Sequence, residues 1–186
     1  MKITCILSLV LFLGATDSRA GQGSGLGLSS IVSTTDPRFR VLAGTSVVWK
    51  ESAVKVYLDD QFDSQTITSI YRAAIESAIG EKGYRLATAG DDTDFELGFL
   101  LALSSNLDDD QIMRQFGFSP GLQGSPGDNR PKKGTLVIIL IDPRNGRSMW
   151  RGAIQAFANP GASDDERQQR AKSAVGKLIG LMPDVP

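Results

Sequence analysis

The sequence contains no histidine and only one cysteine. Without histidine there is no Ser-His-Asp or Cys-His nucleophile pair, and no imidazole ligand for zinc or non-haem iron. Neither sign of charge dominates: 20 basic residues stand against 21 acidic ones, a formal net charge of -1. The chain therefore lacks the electrostatic footprint of a protein that binds nucleic acid or an anionic membrane surface. Long apolar runs are missing too. The longest opens the chain, from Ile3 to Leu13, and falls well short of the ~20 residues that span a bilayer as a helix. What remains, 186 residues of which 41% are apolar and 22% charged, is the composition of one globular domain with a real core.

That opening run has the layout of an export signal. Lys2 supplies the positive end, the apolar stretch follows, and Ser18-Arg19-Ala20 places small residues three before and directly before a cleavage point. The pattern predicts a secretory signal peptide over residues 1–20, cut between Ala20 and Gly21. Cys5 lies inside it and is not placed as a lipid-carrying cysteine would be. The mature chain is thus expected to be unlipidated. It enters an oxidising compartment with no disulfide, stabilised by its core alone.

Residues 21–30 (GQGSGLGLSS) read as a flexible linker. A dinucleotide loop would need a strand before the glycines and a helix after them. A domain over residues 31–183 then begins with short strands at Ile31–Thr35 and Thr45–Lys50. Val54–Leu58 is either a third strand or the approach to a helix. Asp63-Ser64 offers an N-cap, and Ile67, Ile70, Tyr71, Ala74, Ile75, Ala78 and Ile79 form the apolar stripe of a helix packed on a sheet, with Gly83 as its left-handed stop. Tyr84–Thr88 is a short strand. Asp94–Ser104 is a longer one, with Phe95, Leu97, Phe99, Leu101 and Leu103 on one face. Residues 106–133, rich in Gly and Pro, form a long mobile loop holding one short helix near 108–116. Gly134–Ile141 is apolar on both faces and so a central strand. Asp142-Pro143-Arg144-Asn145-Gly146 makes a tight turn into a returning strand at Arg147–Ala158. Ser163 and Glu166 form a capping box for a last helix striped by Ala171, Val175, Leu178, Ile179 and Met182. The order predicts an α+β fold: a mostly antiparallel sheet with two packing helices, mainly on one face.

Groups that look like chemistry have plainer roles. Asp91, Asp92, Asp94 and Glu96 fail the spacing of a calcium loop, which needs glycine at its sixth position. Asp108, Asp109 and Asp110 suit a helix start, because consecutive residues diverge too far to chelate one ion. Glu96 and Asp142 form the single carboxylate pair worth testing for glycoside hydrolysis, and the turn already accounts for Asp142. Trp150 reads as a core residue.

Taken together these segments resemble the bacterial envelope family called domain of unknown function 4136. The resemblance rests on Asp36, Phe39 and Thr45–Trp49; on Glu81-Lys82-Gly83-Tyr84; on Asp94 opening its strand; on Gly134–Ile138, Asp142, Gly146 and Trp150-Arg151-Gly152; and on Met182-Pro183. It covers residues 31 to 183. It implies a protein of the periplasm or outer membrane, in a family often lipidated, and carries no established activity.

The expectation is therefore an exported, non-enzymatic binding or scaffolding module, with no cofactor and no bound metal. Its partner is an envelope protein or cell-wall component. The alternatives are a carboxylate-dependent hydrolase and a structural protein without a ligand. Two helices cover only one face of such a sheet, so the other is expected to be covered incompletely by the 106–133 loop. Met149, Arg151, Ala153 and Phe157, with Phe116 and Phe118 from the loop, are the predicted partner surface.

Overall fold

The computed structural model describes residues 26–103, 109–117, 120–122 and 133–186. In chain order the elements are β1 (Ser29–Thr35), β2 (Ser46–Leu58), α1 (Ser64–Glu81), β3 (Arg85–Leu86), β4 (Phe95–Leu103), α2 (Asp109–Phe116), β5 (Lys133–Ile141), β6 (Ser148–Phe157) and α3 (Asp164–Ile179). The strands form one six-stranded sheet in the order β1-β6-β5-β4-β2-β3. Pairings from β1 through β4 are antiparallel, whereas β2 runs parallel to both β4 and β3. The α+β class holds. The sheet is mixed, however, because α1 returns the chain from β2 to run alongside it again, as a helical crossover between parallel strands does.

Both long helices form where their caps and stripes predict. The Asp63 side chain accepts the Thr66 N–H, and Ser163 and Glu166 close a reciprocal capping box. α1 and α3 pack against each other and on one sheet face. There Ile75, Ile79, Val175, Leu178 and Ile179 meet Leu97, Phe99, Leu101, Leu136, Ile138, Leu140, Trp150 and Ile154, all essentially inaccessible to solvent. Gly83 stops α1 with φ +86°, and a Cβ there would lie 3.0 Å from Val185 Cβ. The helix end is also clamped by the C-terminal residues. Lys82 Nζ donates to Met182 O at 2.8 Å and to Asp184 at 2.7 Å, Val185 N–H donates to Lys82 O, and Tyr84 Oη donates to Pro183 O.

Three features differ from the sequence reading. First, Thr45–Lys50 and Val54–Leu58 belong to one strand, β2. Its register shifts so that residues 50–53 arch opposite Gly98 of β4. A Cβ on Gly98 would fall 2.6 Å from Ala53 Cβ, so the arch requires glycine there. Second, the short helix expected near 108–116 forms as α2 and packs on the sheet face that α1 and α3 leave open, so three helices rather than two pack on the sheet. Third, the part of the predicted linker that is described is structured. Leu26 is buried in the main core, and Ser29 and Ser30 pair with Ala156 and Gln155. The predicted signal peptide, residues 1–20, lies outside the described residues.

Candidate functional site

On the sheet face away from α1 and α3, the strand registers align three short rows. Leu100, Val137, Ala153 and Val32 form the central one. Gly98, Ile139, Arg151 and Thr34 flank it on one side, and Ala102, Thr135, Gln155 and Ser30 on the other. The central row is apolar because both faces of β4 and β5 must be buried in a covered sheet. Its cover is α2, whose Phe116 packs on the row while Ile112 is wholly buried. The short stretch 120–122 is tied down by polar contacts. Gln155 Oε1 accepts the Leu122 N–H at 2.9 Å, Gln155 Nε2 donates to Thr135 Oγ1, and Ser30 Oγ donates to Pro120 O.

Among the described residues the cover stops beside α2. A groove of about 220 Å³ runs between the β2 arch and Phe116, lined by Ser52, Ala53, Lys55, Leu100, Val137 and Ile139. Lys50, at the start of the arch, pairs with Glu96 at 2.5 Å. Arg151 marks the polar boundary of this face. An added Cβ on Gly117 would lie 3.6 Å from its Nη2, and it borders a recess formed with Thr34, Asp36, Arg147 and Ser148.

The predicted partner surface is thereby divided. Phe116, Ala153 and Arg151 come together on this face. Met149 does not join them: β6 carries one extra residue opposite the step from Leu140 to Ile141, and Met149 turns into the main core beside Trp150. Phe157 lines a cavity at the helix side. Phe118 lies outside the described residues.

The carboxylates are committed elsewhere. Glu96 holds Lys50. Asp142 accepts from Arg144 N–H, Arg144 Nε and Asn145 Nδ2, and the Arg144 hydrogen bonds hold its carboxyl below the usual range. Asp91 accepts the Thr88 N–H and Asp94 the Ser46 N–H and hydroxyl, so both tie turns and strand starts. Among the described residues no three His, Cys, Asp or Glu side chains gather as a metal site, and no helix is long and apolar enough to cross a membrane.

The cavity that Phe157 reaches lies where the ends of β4, β5 and β6 meet the N-terminal halves of α1 and α3. It measures about 80 Å³, with walls that include Phe62, Ile67, Ile70, Leu103, Ile154 and Phe157. Tyr71, Thr135, Asn159, Arg167 and Arg170 are its polar lining residues. Burial pushes the Tyr71 phenol up to about 12, and the nearby Arg170 charge acts against that shift.

A family model described as "Domain of unknown function (DUF4136)" matches residues 33–183. The chain belongs to the DUF4136 family. The fold is similar to that of a DUF4136 family protein from Bacteroides thetaiotaomicron, at 13% identity and a TM-score of 0.45 over 80% of this chain and 92% of that one. It is also similar to the PelC dodecamer from Paraburkholderia phytofirmans, at 14% identity and a TM-score of 0.44 over 81% and 94%. No curated protein matches the chain in sequence.

Sequence reasoning about this DUF4136 domain missed Lys55, Ser52 and Ile139 as lining of the groove, and the cavity altogether. Lys55 and Ser52 had no signal, because the arch that brings them over β4 breaks the strand alternation. The cavity had a faint one. Arg167 and Arg170 lie three residues, about one helical turn, apart on α3, on either side of the exposed Gln168 and Gln169 and next to the apolar stripe.

Proposed function

We propose that this DUF4136 protein is an exported, non-enzymatic binding or scaffolding module of the cell envelope, and that it meets its partner on the sheet face beside α2. The observation that carries this reading is the apolar groove left between Phe116 and the β2 arch, where Phe116 and Ile139 are only partly covered above the buried Leu100 and Val137. An apolar sheet face left open beside a small helix is an interaction surface or a liability. Lys55 and Arg151 give it the polar rim common to such interfaces. The export signal read from residues 1–20 supports an envelope location. The partner is an envelope protein or a cell-wall component. The carboxylates read as a hydrolytic pair, Glu96 and Asp142, are engaged with separate cations, Lys50 and Arg144.

The test joins location to surface. Mass spectrometry of the protein from fractionated cells is expected to find Gly21 at the N-terminus, no lipid mass, and the chain in the periplasmic or outer-membrane fraction. A photo-crosslinker at Lys55 is expected to trap one defined partner in intact cells, and Phe116→Ser to abolish the crosslink while leaving the circular dichroism spectrum unchanged. An intact signal in the cytoplasm, or a partner whose binding leaves hydrogen exchange of α2 and β6 unaltered, would overturn the reading.

A further inference from the structure

The two edges of the sheet are protected unequally. At one edge β3 is two residues long and pairs with β2 only at Ser46 and Val47. Beyond it β2 carries Lys50, Glu51 and Lys55 and shifts its register at the arch. A short strand, charges and a register shift are devices that keep an edge from pairing with another chain. The other edge is β1, and it has none of them. Its seven residues, SSIVSTT, hold no charge and no proline, and its register with β6 runs unbroken from Ser29 to Thr35.

The backbone direction at this edge follows from one bond. Asp36 N–H donates to Met149 O at 2.8 Å, which continues the register of β1 with β6. In an antiparallel ladder residues that face the partner alternate with residues that face away. Ser30, Val32 and Thr34 therefore point their backbone groups at β6, and Ser29, Ile31, Ser33 and Thr35 point theirs outward. No described residue pairs with these outward groups. The side chains divide between the two faces. Val32 ends the apolar row of Leu100, Val137 and Ala153 on the α2 face. Ile31, opposite Ile154 on the face of α1 and α3, is 39% exposed.

We propose that this edge is a self-association surface, on which β1 of a second copy of this chain lies antiparallel about a two-fold axis at Val32 and joins the two sheets into one. With Val32 opposite itself, Ile31 faces Ser33 of the second copy and Ser29 faces Thr35. Every outward N–H and C=O of both strands is then paired. No charge meets a like charge, which is the usual bar to pairing a strand with itself. The Val32 side chains meet on the α2 face, so the apolar row of one copy continues into that of the other. On the opposite face the two Ile31 side chains become diagonal neighbours and cover each other. A foreign strand would have to supply these matches separately, whereas a second copy brings them by symmetry. The groove beside α2 lies toward β2, away from this edge, so the pairing does not rest on the function proposed above.

Sedimentation of the exported protein over a range of concentrations is expected to show a reversible monomer–dimer equilibrium, as suits an interface of one strand from each copy. Ser33→Pro removes an outward N–H and leaves the bonds to β6 intact, a position where an edge strand accepts proline. It is expected to weaken dimerisation about tenfold or more, for one backbone bond lost per copy, with an unchanged circular dichroism spectrum. Cysteine substitutions in a Cys5→Ser background test the register without depending on that variant. Val32 faces its own copy as a non-hydrogen-bonded pair, with Cα atoms about 4.5 Å apart, within the span of a disulfide. Val32→Cys is therefore expected to give a covalent dimer on mild oxidation. Thr34 is the more exposed of the two, but in this register Thr34→Cys holds its thiols about 14 Å apart and is expected to stay uncrosslinked. A single monomeric species up to about 100 μM, a Ser33→Pro protein that folds and dimerises like the parent, or crosslinking at Thr34 equal to that at Val32 would each overturn the proposal. So would a monomer that pairs at this edge only with another protein, since the occupant would then be a foreign strand.

Discussion

Trp150 shows how one side chain depends on a neighbour that has none. It is fully buried between β6 and α3. Gly152, two residues on, is where a Cβ would meet Trp150 Cη2 at 2.8 Å and Leu178 Cδ1 at 2.7 Å. The glycine therefore lets the indole lie flat along the strand beneath the helix. The indole N–H finds no hydrogen-bond partner among the described residues, so the ring stabilises through area and packing alone. Trp150→Ala is expected to cost about 3–5 kcal/mol, from lost transfer energy and the cavity left behind. Trp150→Phe is expected to cost clearly less, since it keeps much of the apolar area and removes an unsatisfied donor. Urea melts of the two variants measure this, and a loss below about 1 kcal/mol for alanine would contradict the packing described.

At the scale of elements, the clamp over the end of α1 is the most exposed to a single change. Gly83 is constrained twice, by its left-handed backbone and by the 3.0 Å approach that a Cβ would make to Val185. Gly83→Ala is expected to destabilise the domain by about 1–3 kcal/mol, and to raise hydrogen exchange at Val185 and Tyr84 ahead of the rest of the sheet. Uniform exchange across the sheet would show the clamp to be incidental. α1, α3 and their stops were legible in the sequence because caps, stripe and glycine agree locally: Asp63, the Ile67–Ile79 stripe and Gly83 for one, Ser163, Glu166 and Met182 for the other. β4 and β5 were legible as apolar strands. What was hidden depended on long-range register. The polar Lys50-Glu51-Ser52 interrupts β2 in sequence but arches over Gly98 in space. Strict alternation along β6 placed Met149 with Arg151 and Ala153, while the extra residue opposite Leu140–Ile141 sends it to the main core. Parallel pairing of β2 with β4 leaves no local signature, and the cavity draws its walls from every part of the chain.

For the molecule as a whole, two ion pairs sit together where β1 ends and where β5 turns into β6. Asp36 is held well below the usual carboxylate range by hydrogen bonds from Arg38, and Asp142 is lowered by those from Arg144. Depressed carboxyl values contribute stability that is complete above the unfolded value, about 3.9, and lost as the pH falls through the folded values. The melting temperature is therefore expected to decline below about pH 4, and the variant carrying both Asp36→Asn and Asp142→Asn to decline less steeply. Calorimetric scans from pH 7 to pH 2 decide this, and equal slopes would count against it. The strand order has a different consequence, in time rather than in energy. Among the described residues β1 is the first strand and its only neighbour in the sheet is β6, so Ser29 has no place to go until Ala156 exists. The strand nearest the N-terminus must stay unpaired while nearly all the rest of the domain is made. Closure of the sheet edge comes last, and the chain spends its synthesis as an open template with a strand-forming segment at its leading end.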